Sequence, residues 1–212
     1  MNNNTIAIID YGSQYTQLIA RRVRELNVYS IILPHDFKES HVNFKDIKGI
    51  ILSGGPSSVY DESSPKLNLN LLSYNIPILG VCYGLQLLIE NFNGSVKSGD
   101  IGEYGPAEIN IKKDSKLFQN INVKTNVWMS HGDRIENMPN DWIVTSKSDN
   151  SVIASVENQN ETIYGVQFHP EVVHTKEGKK IIENFVLNIC NTIPDWSSEN
   201  FIKSTVENIR NT

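Results

Sequence analysis

The 212-residue chain has an ordinary composition, with 39% hydrophobic and 20% charged residues and a formal net charge of −5 at pH 7. This length allows one well-formed hydrophobic core with at most a short appendage. The negative balance, and the lack of a basic cluster larger than Arg21-Arg22-x-Arg24, argue against binding to nucleic acid or to an anionic membrane. Two cysteines exclude a disulfide framework and a Cys-x-x-Cys metal pair, and we predict no metal site.

A short apolar run at residues 5–9 opens the chain after three asparagines. This opening lacks the basic region and the long apolar segment of a secretory signal, so it predicts a first strand. No apolar stretch in the sequence reaches the length that crosses a bilayer. We therefore expect a cytoplasmic protein without membrane or nucleic-acid partners.

The first 92 residues alternate apolar runs of strand length with patterns of helical spacing. Strands are predicted over residues 6–10, 29–33 and 49–53 and directly after Pro77, and helices over 15–26 and 83–92. This alternation is typical of a doubly wound, flavodoxin-like α/β sheet, mostly parallel, with helices on both faces. In the first helix we assign Arg21, Arg22 and Arg24 largely to the solvated face. Functional residues of such sheets collect beyond the carboxyl ends of the strands.

A sharp strand-to-helix turn is predicted at Gly80-x-Cys82-x-Gly84, which has the Gly-x-nucleophile-x-Gly pattern. Glycines on both sides let neighbouring chains approach a nucleophile whose backbone is strained. The N-terminus of the following helix favours the thiolate, the form of cysteine that attacks a carbonyl carbon. A small buried cysteine between two core elements fits the pattern equally well, because short motifs also match by chance.

The loop Ser53-Gly54-Gly55-Pro56 follows another predicted strand and also allows two interpretations. It lacks the lysine of a phosphate-binding P-loop, so a phosphate site is not predicted. Beside a nucleophile, its glycines would bring free backbone N–H groups close to a substrate oxygen. Taken alone, the same residues indicate an ordinary Gly-Pro turn.

From about Gly94 the pattern changes to short strands separated by turn signals. We predict that these strands extend the sheet and add a small antiparallel β layer, at residues 107–111, 126–130, 142–147, 152–156 and 162–167. A helix over residues 176–190 then closes the domain. Its last residue, Cys190, is assigned to the core.

The segment His169-Pro170-Glu171 supplies a candidate base and a carboxylate to orient it. In extended backbone, residues i and i+2 point to the same side, so Glu171 can hold the His169 imidazole. Together with Cys82, these residues make a nucleophile–base–orienter set. His131 is a rival base, because it also ends a predicted strand. The remaining histidines are assigned to loops or to the surface: His35, His41 and His174.

Three motifs together resemble the class I (triad) glutamine amidotransferases, and the resemblance covers about residues 5–190. They are Gly80-Val81-Cys82-Tyr83-Gly84-Leu85-Gln86, Ser53-Gly54-Gly55-Pro56 and His169-Pro170-Glu171. The resemblance implies that Cys82 attacks the side-chain carboxamide of glutamine and forms a γ-glutamyl thioester. It also implies that His169 moves the protons and that Glu171 holds His169. The products would be glutamate and ammonia.

The same resemblance assigns residues around the bound glutamine. Backbone N–H groups of Gly55 and Tyr83 would stabilise the oxyanion. Gln86 would lie in the glutamine pocket, together with the main chain at Ser130 and His131.

Further stretches are similar to the GMP synthase branch of this family, namely Ile9 to Glu25, Trp128-Met129-Ser130-His131-Gly132-Asp133 and Val172-x-His174-Thr175. In that branch the ammonia passes to an ATP-pyrophosphatase (synthetase) domain, which uses ATP and Mg²⁺ to convert xanthosine monophosphate (XMP) to GMP. That domain's Ser-Gly-Gly-x-Asp-Ser loop does not occur here. The resemblance thus implies an amidotransferase domain over residues 1–191, without a cofactor of its own. Residues 192–212 would be a loosely held linker and helix leading to the absent synthetase domain.

Polar loop residues without a triad role are candidates for contacts with that second domain, and we choose Asp133, Arg134 and His174.

Two other functional classes remain open at this point. One is another triad amidotransferase or a γ-glutamyl hydrolase, which shares the Cys82 turn and the His-Pro-Glu segment. The other is a non-catalytic flavodoxin-like binding module.

Overall fold

The computed structural model describes residues 4–112 and 114–210, without the side chains at 100, 101, 203–205 and 207–209. Its strands are β1 Thr5–Asp10, β2 Tyr29–Pro34, β3 Ile47–Leu52, β4 Ile78–Val81, β5 Ser95–Ile111, β6 Lys124–Asn137, β7 Trp142–Ser148, β8 Ile153–Asn158 and β9 Ile163–Val166. Its α-helices are α1 Thr16–Glu25, α2 Tyr83–Asn91, α3 Gly178–Glu183 and α4 Ser198–Arg210. Short 3₁₀ turns lie at Glu39–His41, Phe44–Asp46, Leu69–Tyr74 and Lys116–Phe118. The predicted domain limits at residues 1 and 212 fall outside the described residues.

The described strands form one nine-stranded sheet in the order β2-β1-β3-β4-β9-β8-β7-β5-β6. Strands β2, β1, β3, β4 and β9 pair in parallel. Along β1, Ile6 and Ile8 enter one core with residues of α1 and α3, while Ala7 and Ile9 enter a second core with residues of α2. This alternation of faces places helices on both sides of the sheet. The predicted fold class is confirmed.

The antiparallel strands continue the same sheet, and two of them are much longer than predicted. Strand β5 has 17 residues and β6 has 14, and they pair along most of their length. Their register shifts between Ser98 and Glu103, where the hairpin is irregular. Glycine and proline at 102, 105 and 106 interrupt the strand pattern in the sequence, which explains the shorter prediction. The long hairpin carries the β6 residues 130–133 to the edge of the site.

The closing helix is also split in a way that its periodicity does not reveal. Helix α3 is followed by a π-helical segment, Asn184–Ile189, in which the Cys190 N–H donates to the Phe185 carbonyl at 2.9 Å. Wider π turns rotate the later side chains relative to an α-helix. Ile189 is therefore only partly buried, whereas Cys190 lies in the core as predicted. No helix among the described residues has both the length and the apolar character needed to cross a bilayer.

The first part of the segment after residue 191 makes more contacts with the domain than expected. The Trp196 N–H donates to the Asn27 carbonyl at 2.8 Å, and the Phe201 ring stacks on Tyr29 at 5.3 Å between centroids. Arg24 lies 5.9 Å from the Trp196 ring. Apolar and aromatic side chains thus attach this segment to β2, so the prediction of a loose tail is wrong for its first part.

Candidate active site

Cys82 stands in the strained turn that the glycine pattern predicts. It lies between the end of β4 and the start of α2, with φ +51° and ψ −105°. A residue other than glycine rarely adopts this φ, and such backbone strain persists only where the surrounding structure enforces it. A Cβ at Gly80 would come within 2.6 Å of the Leu85 nitrogen, and one at Gly84 within 2.4 Å of the Leu52 carbonyl oxygen. Both glycines are therefore required by close backbone approach.

His169 and Glu171 form a short buried pair immediately after β9. The His169 Nδ1–H donates to Glu171 Oε1 at 2.7 Å, and the Glu171 side chain is fully buried. The expected pairing is present, but the backbone bends here instead of remaining a strand. The bend is fixed by further bonds, because the His169 N–H donates to the Trp128 carbonyl at 3.0 Å and the Thr175 hydroxyl donates to the His169 carbonyl at 2.6 Å.

His169 is electrostatically coupled to Cys82. Burial by itself lowers the pKa of His169, but its hydrogen bonds to Cys82 and Glu171 and the charges of those two groups outweigh burial and raise that pKa to about 10. Because Nδ1 is bonded to Glu171, Nε2 is the nitrogen left to interact with the thiol. A Cβ at Gly54 would lie 3.1 Å from His169 Cε1 and 3.7 Å from Cys82 Cβ, so Gly54 borders both residues. The geometry suits a thiolate–imidazolium pair.

A cavity of about 480 Å³ opens in front of Cys82, within the size range of small-molecule sites. Most of the predicted site residues line it: Gly55, Cys82, Tyr83, Gln86, Ser130, His131, Asp133 and His169. Glu171 is buried behind His169. Two of the residues predicted to contact a second domain lie elsewhere. Arg134 borders a second cavity, and His174 is exposed, with its ring tilted against Trp128 at 4.5 Å between centroids.

Gly55 and Tyr83, the two residues predicted to form an oxyanion hole, both line the cavity beside Cys82. A Cβ at Gly55 would come within 2.8 Å of the Tyr11 carbonyl oxygen and 3.3 Å of the Tyr83 ring, so only glycine fits. Tyr83 is the first residue of α2, and its N–H has no partner within the helix. In the described part of the chain, neither N–H donates to a loop, turn or side-chain acceptor. Two free donors beside a nucleophile can stabilise a developing oxyanion.

His131, the rival base, belongs to a second buried pair. Its Nδ1–H donates to the Asp133 carbonyl at 2.8 Å, and its Nε2 lies 3.5 Å from Glu103 Oε2. Burial lowers the pKa of His131, and the partly opposing effect of Glu103 does not reverse this. Glu103 also accepts hydrogen bonds from Ser148 and Asn150. Among the described residues, the polar contacts of the Cys82 side chain run to His169, Gln167 and the Ser130 carbonyl. The geometry favours His169 as the base.

The sequence did not single out several residues that border the triad. Gln167 contacts the Cys82 sulfur, and its position two residues before His169 was a usable signal. The Tyr15 ring meets the His169 ring edge-on at 5.2 Å. Glu103 could not have been found, because only the β5–β6 register places it opposite His131.

The assignment of the α1 arginines to the solvated face is correct for one residue and wrong for two. Arg21 is 72% exposed at its side chain, but Arg22 is only 11% exposed. The Arg22 Nε–H donates to the Glu171 backbone carbonyl at 3.0 Å, and Arg24 donates to the Ser30 carbonyl at 2.8 Å. A long arginine side chain can lie along the core surface while its head makes specific bonds. Arg22 therefore ties α1 to the segment that carries the His169–Glu171 pair.

Comparison with known proteins identifies the family of this chain. The family model for glutamine amidotransferase class-I matches residues 7–189. The chain is 47% identical to GMP synthase [glutamine-hydrolyzing] of Brachyspira hyodysenteriae, over 100% of this chain and 42% of that protein. It is 48% identical to the enzyme of the same name from Thermosipho melanesiensis, over 97% of this chain and 40% of that protein. The chain thus spans about two fifths of the length of these curated relatives.

Solved structures agree with the sequence comparison. A putative GMP synthase subunit from Thermoplasma acidophilum matches with a TM-score of 0.77 and 30% identity, over 95% of this chain and 98% of that one. A glutamine amidotransferase from Thermotoga maritima has the same fold, with a TM-score of 0.65 and 21% identity over 92% of this chain and 88% of that one. The family match covers most of the sequence, and the fold and the Cys82 turn agree with it. This chain belongs to the class-I glutamine amidotransferase family.

Proposed function

We propose that this chain is the glutaminase part of a GMP synthase. It hydrolyses glutamine to glutamate and ammonia, and the ammonia is used to convert XMP to GMP in purine biosynthesis. The observation that carries the proposal is the strained Cys82 coupled to the buried His169–Glu171 pair at a cavity of about 480 Å³. The curated relatives that cover the whole chain support the choice of GMP synthase within the family.

In the first half-reaction, the Cys82 thiolate attacks the carboxamide carbon of glutamine. The carbonyl π electrons move to oxygen, and the Gly55 and Tyr83 N–H groups stabilise that oxyanion. When the oxyanion collapses, the C–N bond breaks and the His169 imidazolium gives its proton to the leaving nitrogen. Ammonia departs and a γ-glutamyl thioester remains on Cys82.

In the second half-reaction, water attacks the thioester while neutral His169 takes one of its protons. The C–S bond breaks, and the electron pair returns to sulfur. Glutamate is released, and the thiolate–imidazolium pair is restored. Glu171 keeps Nδ1 protonated throughout, so that Nε2 faces the reacting atoms. The net reaction consumes one water and needs no cofactor in this chain.

Residues around Cys82 would hold the rest of the substrate. We assign Gln86 and the main chain at Ser130 and His131 to glutamine binding, because all three border the cavity. The synthetase domain would supply the sites for ATP and Mg²⁺. We assign residues 1–191 to the amidotransferase domain and 192–212 to the connection with the synthetase domain. A cytoplasmic location is part of the same proposal.

The test of the glutaminase proposal is ammonia release from glutamine, with Cys82→Ala as the inactive control. We expect hydrolysis by the wild-type chain and none above background by the variant, which should keep its circular dichroism spectrum. Brief labelling with a glutamine-like electrophile should modify Cys82 and spare Cys190. Burial raises the pKa of Cys190 well above its ordinary value, so that thiol stays protonated. Labelling of Cys190 with Cys82 untouched would contradict the triad.

The test of the GMP synthase proposal is activation by the second domain. Ammonia made without an acceptor wastes glutamine, so a coupled enzyme gains when the acceptor domain favours the competent state of this site. We expect the isolated chain to hydrolyse glutamine slowly, and the added synthetase domain with ATP, Mg²⁺ and XMP to raise the rate by roughly 5–150-fold. Equal rates would contradict the coupling while leaving the glutaminase proposal intact.

The three polar residues proposed to face the synthetase domain differ in their surroundings. Asp133 is buried at the cavity and accepts a hydrogen bond from the Tyr60 hydroxyl at 2.9 Å. Arg134 is half-buried on β6, and His174 is exposed beyond the His169 segment. Substituting each of them in the two-domain enzyme should reduce activation by the nucleotide. For His174→Ala, the most exposed of the three, basal hydrolysis should persist.

A further inference from the structure

Gln167 is a buried polar residue that the reaction scheme above does not use. It follows β9 directly, is 1% exposed, and its backbone N–H donates to the Ala154 carbonyl at 2.9 Å. Its side-chain Nε2 lies 3.5 Å from the Cys82 sulfur. Its Oε1 accepts a hydrogen bond from Gln86 Nε2 at 3.4 Å. A buried amide needs partners at both ends, and these two contacts supply them.

The structure places the Gln167 amide in one orientation. Its oxygen faces Gln86 Nε2, and its NH₂ group faces the Cys82 sulfur. The Gln86 backbone N–H in turn donates to the Cys82 carbonyl at 3.1 Å. The three residues therefore form a closed ring of contacts that begins and ends at Cys82. An NH₂ group cannot accept a hydrogen bond, so the Cys82 sulfur is the acceptor in this contact.

We propose that Gln167 is a positioning residue for the nucleophile, which donates to the Cys82 sulfur and holds it as a thiolate in the attacking geometry. This inference rests on the proposed function and deepens it. His169 supplies the positive charge on one side of the sulfur, and Gln167 supplies a fixed neutral donor on another. Hydrogen bonds to charged groups are the stronger ones, and burial strengthens them further.

The donor acts at two points of the reaction. It stabilises the thiolate before attack, and it stabilises the same thiolate when the C–S bond of the thioester breaks. In the thioester itself the sulfur is uncharged, so the contact weakens there. Loss of the donor should therefore lower kcat and slow the reaction of the free thiol, with little effect on KM.

The competing explanation is that Gln167 only fills space beneath Cys82. Gln167→Leu and Gln167→Met keep most of the volume and remove the donor, so they separate the two explanations. Circular dichroism and the melting temperature establish that each variant is folded. Gln86→Leu is the comparison variant, since it removes the amide that faces Gln167 Oε1 but keeps the Gln167 NH₂ group itself.

The decisive measurement is the rate of Cys82 alkylation by iodoacetamide as a function of pH. At pH 7 we expect Gln167→Leu and Gln167→Met to react about tenfold more slowly than wild type, the factor equivalent to about 1.4 kcal/mol. The rates should converge at high pH, where the thiol ionises in every variant. Gln86→Leu should raise KM for glutamine and slow alkylation by less than about threefold. Rates equal to wild type at every pH would overturn the proposal, as would slowing that persists at high pH.

A measurement on the wild-type chain covers the case in which neither variant folds. Glutamine side-chain NH₂ signals can be followed by NMR through a pH titration in wild type and in Cys82→Ala. We expect one pair of signals to move with thiol ionisation in wild type and to stay fixed in the variant; no such pair would overturn the proposal. Alkylation and NMR do not require glutamine turnover. A wild-type chain that releases no ammonia would therefore overturn the proposed function without deciding the contact to sulfur.

Discussion

Two buried imidazole–carboxylate pairs have their histidines on the same cavity, and the pKa values of these histidines shift in opposite directions. In the His169–Glu171 pair, Nδ1 and Oε1 are 2.7 Å apart, and the pKa of the histidine is raised to about 10. In the His131–Glu103 pair, Nε2 and Oε2 are 3.5 Å apart, and the pKa of the histidine is lowered. Both histidines are similarly buried, at 4% and 6% exposure. Burial alone therefore does not decide the charge of an imidazole here.

The difference lies in the number and closeness of the anionic partners. His169 has a short bond to a carboxylate on one side and the Cys82 sulfur on the other. His131 donates to a neutral carbonyl at 2.8 Å and has only the longer approach to Glu103. Coulomb attraction must exceed the cost of desolvating a cation, and only the His169 site meets that condition. We infer that His169 is the proton carrier and that His131, uncharged, fixes the β6 backbone at residues 131–133 through its bond to the Asp133 carbonyl.

The largest expected effect separates the two histidines by activity. His169→Ala should reduce kcat for glutamine hydrolysis by roughly 10²–10⁴-fold, the usual contribution of a general acid–base residue. His131→Ala keeps the main chain that borders the cavity, so we expect a loss of about tenfold or less, mainly in KM. Steady-state kinetics with ammonia detection measures both. Equal losses in kcat would contradict the assignment of proton transfer to His169 alone.

A smaller effect separates the two carboxylates. Glu171→Gln leaves a group of the same shape but removes the charge that fixes the His169 tautomer. We expect kcat to fall, but the fall should be smaller than that of His169→Ala by a factor of about 10–100. Glu171 orients the base and transfers no proton. Glu103→Gln should leave kcat within about threefold of wild type, since the described side-chain contacts of Glu103 run to His131, Ser148 and Asn150 and not to the triad. A Glu103 variant with a kcat as low as that of the Glu171 variant would contradict the different roles of the two carboxylates.

The same two pairs mark how far sequence reasoning could reach. His169 and Glu171 are two residues apart, so their contact was predicted, although from an extended backbone that the structure replaces with a bend. The Cys82 turn was predictable too, because glycine on both sides of a nucleophile has a direct steric cause. Glu103 was not predictable, since a register shift inside a long irregular hairpin decides which β5 residue faces His131. Arg22 was misassigned because helical periodicity gives the direction of a side chain but not the reach of its head group to the Glu171 carbonyl.

The smallest expected effect is on stability, and its sign differs between the two histidines. An unfolded histidine titrates near its ordinary pKa of about 6.5. Because the folded pKa of His131 is lower, the unfolded chain binds a proton first as pH falls below about 6.5, and the free energy of unfolding decreases. The folded pKa of His169 is about 10, so its stabilisation is complete below about pH 6.5 and is lost as pH rises toward 10. Each pH unit in either window changes the free energy of unfolding by at most about 1.4 kcal/mol per group.

Urea unfolding at pH 5, 7 and 9 measures how the free energy of unfolding changes on each side of neutral pH. Wild type is compared with two glutamine variants. His131→Gln cannot take up the proton, so it should lose less stability than wild type between pH 7 and pH 5. His169→Gln should lose less stability than wild type between pH 7 and pH 9, because the imidazolium that wild type gives up is already missing. Each variant thus serves as the control for the other, since neither should change the slope on the other side of neutrality. If His131→Gln instead flattened the alkaline slope, His131 would be the charged member of the two pairs, and the assignment of roles would have to be exchanged.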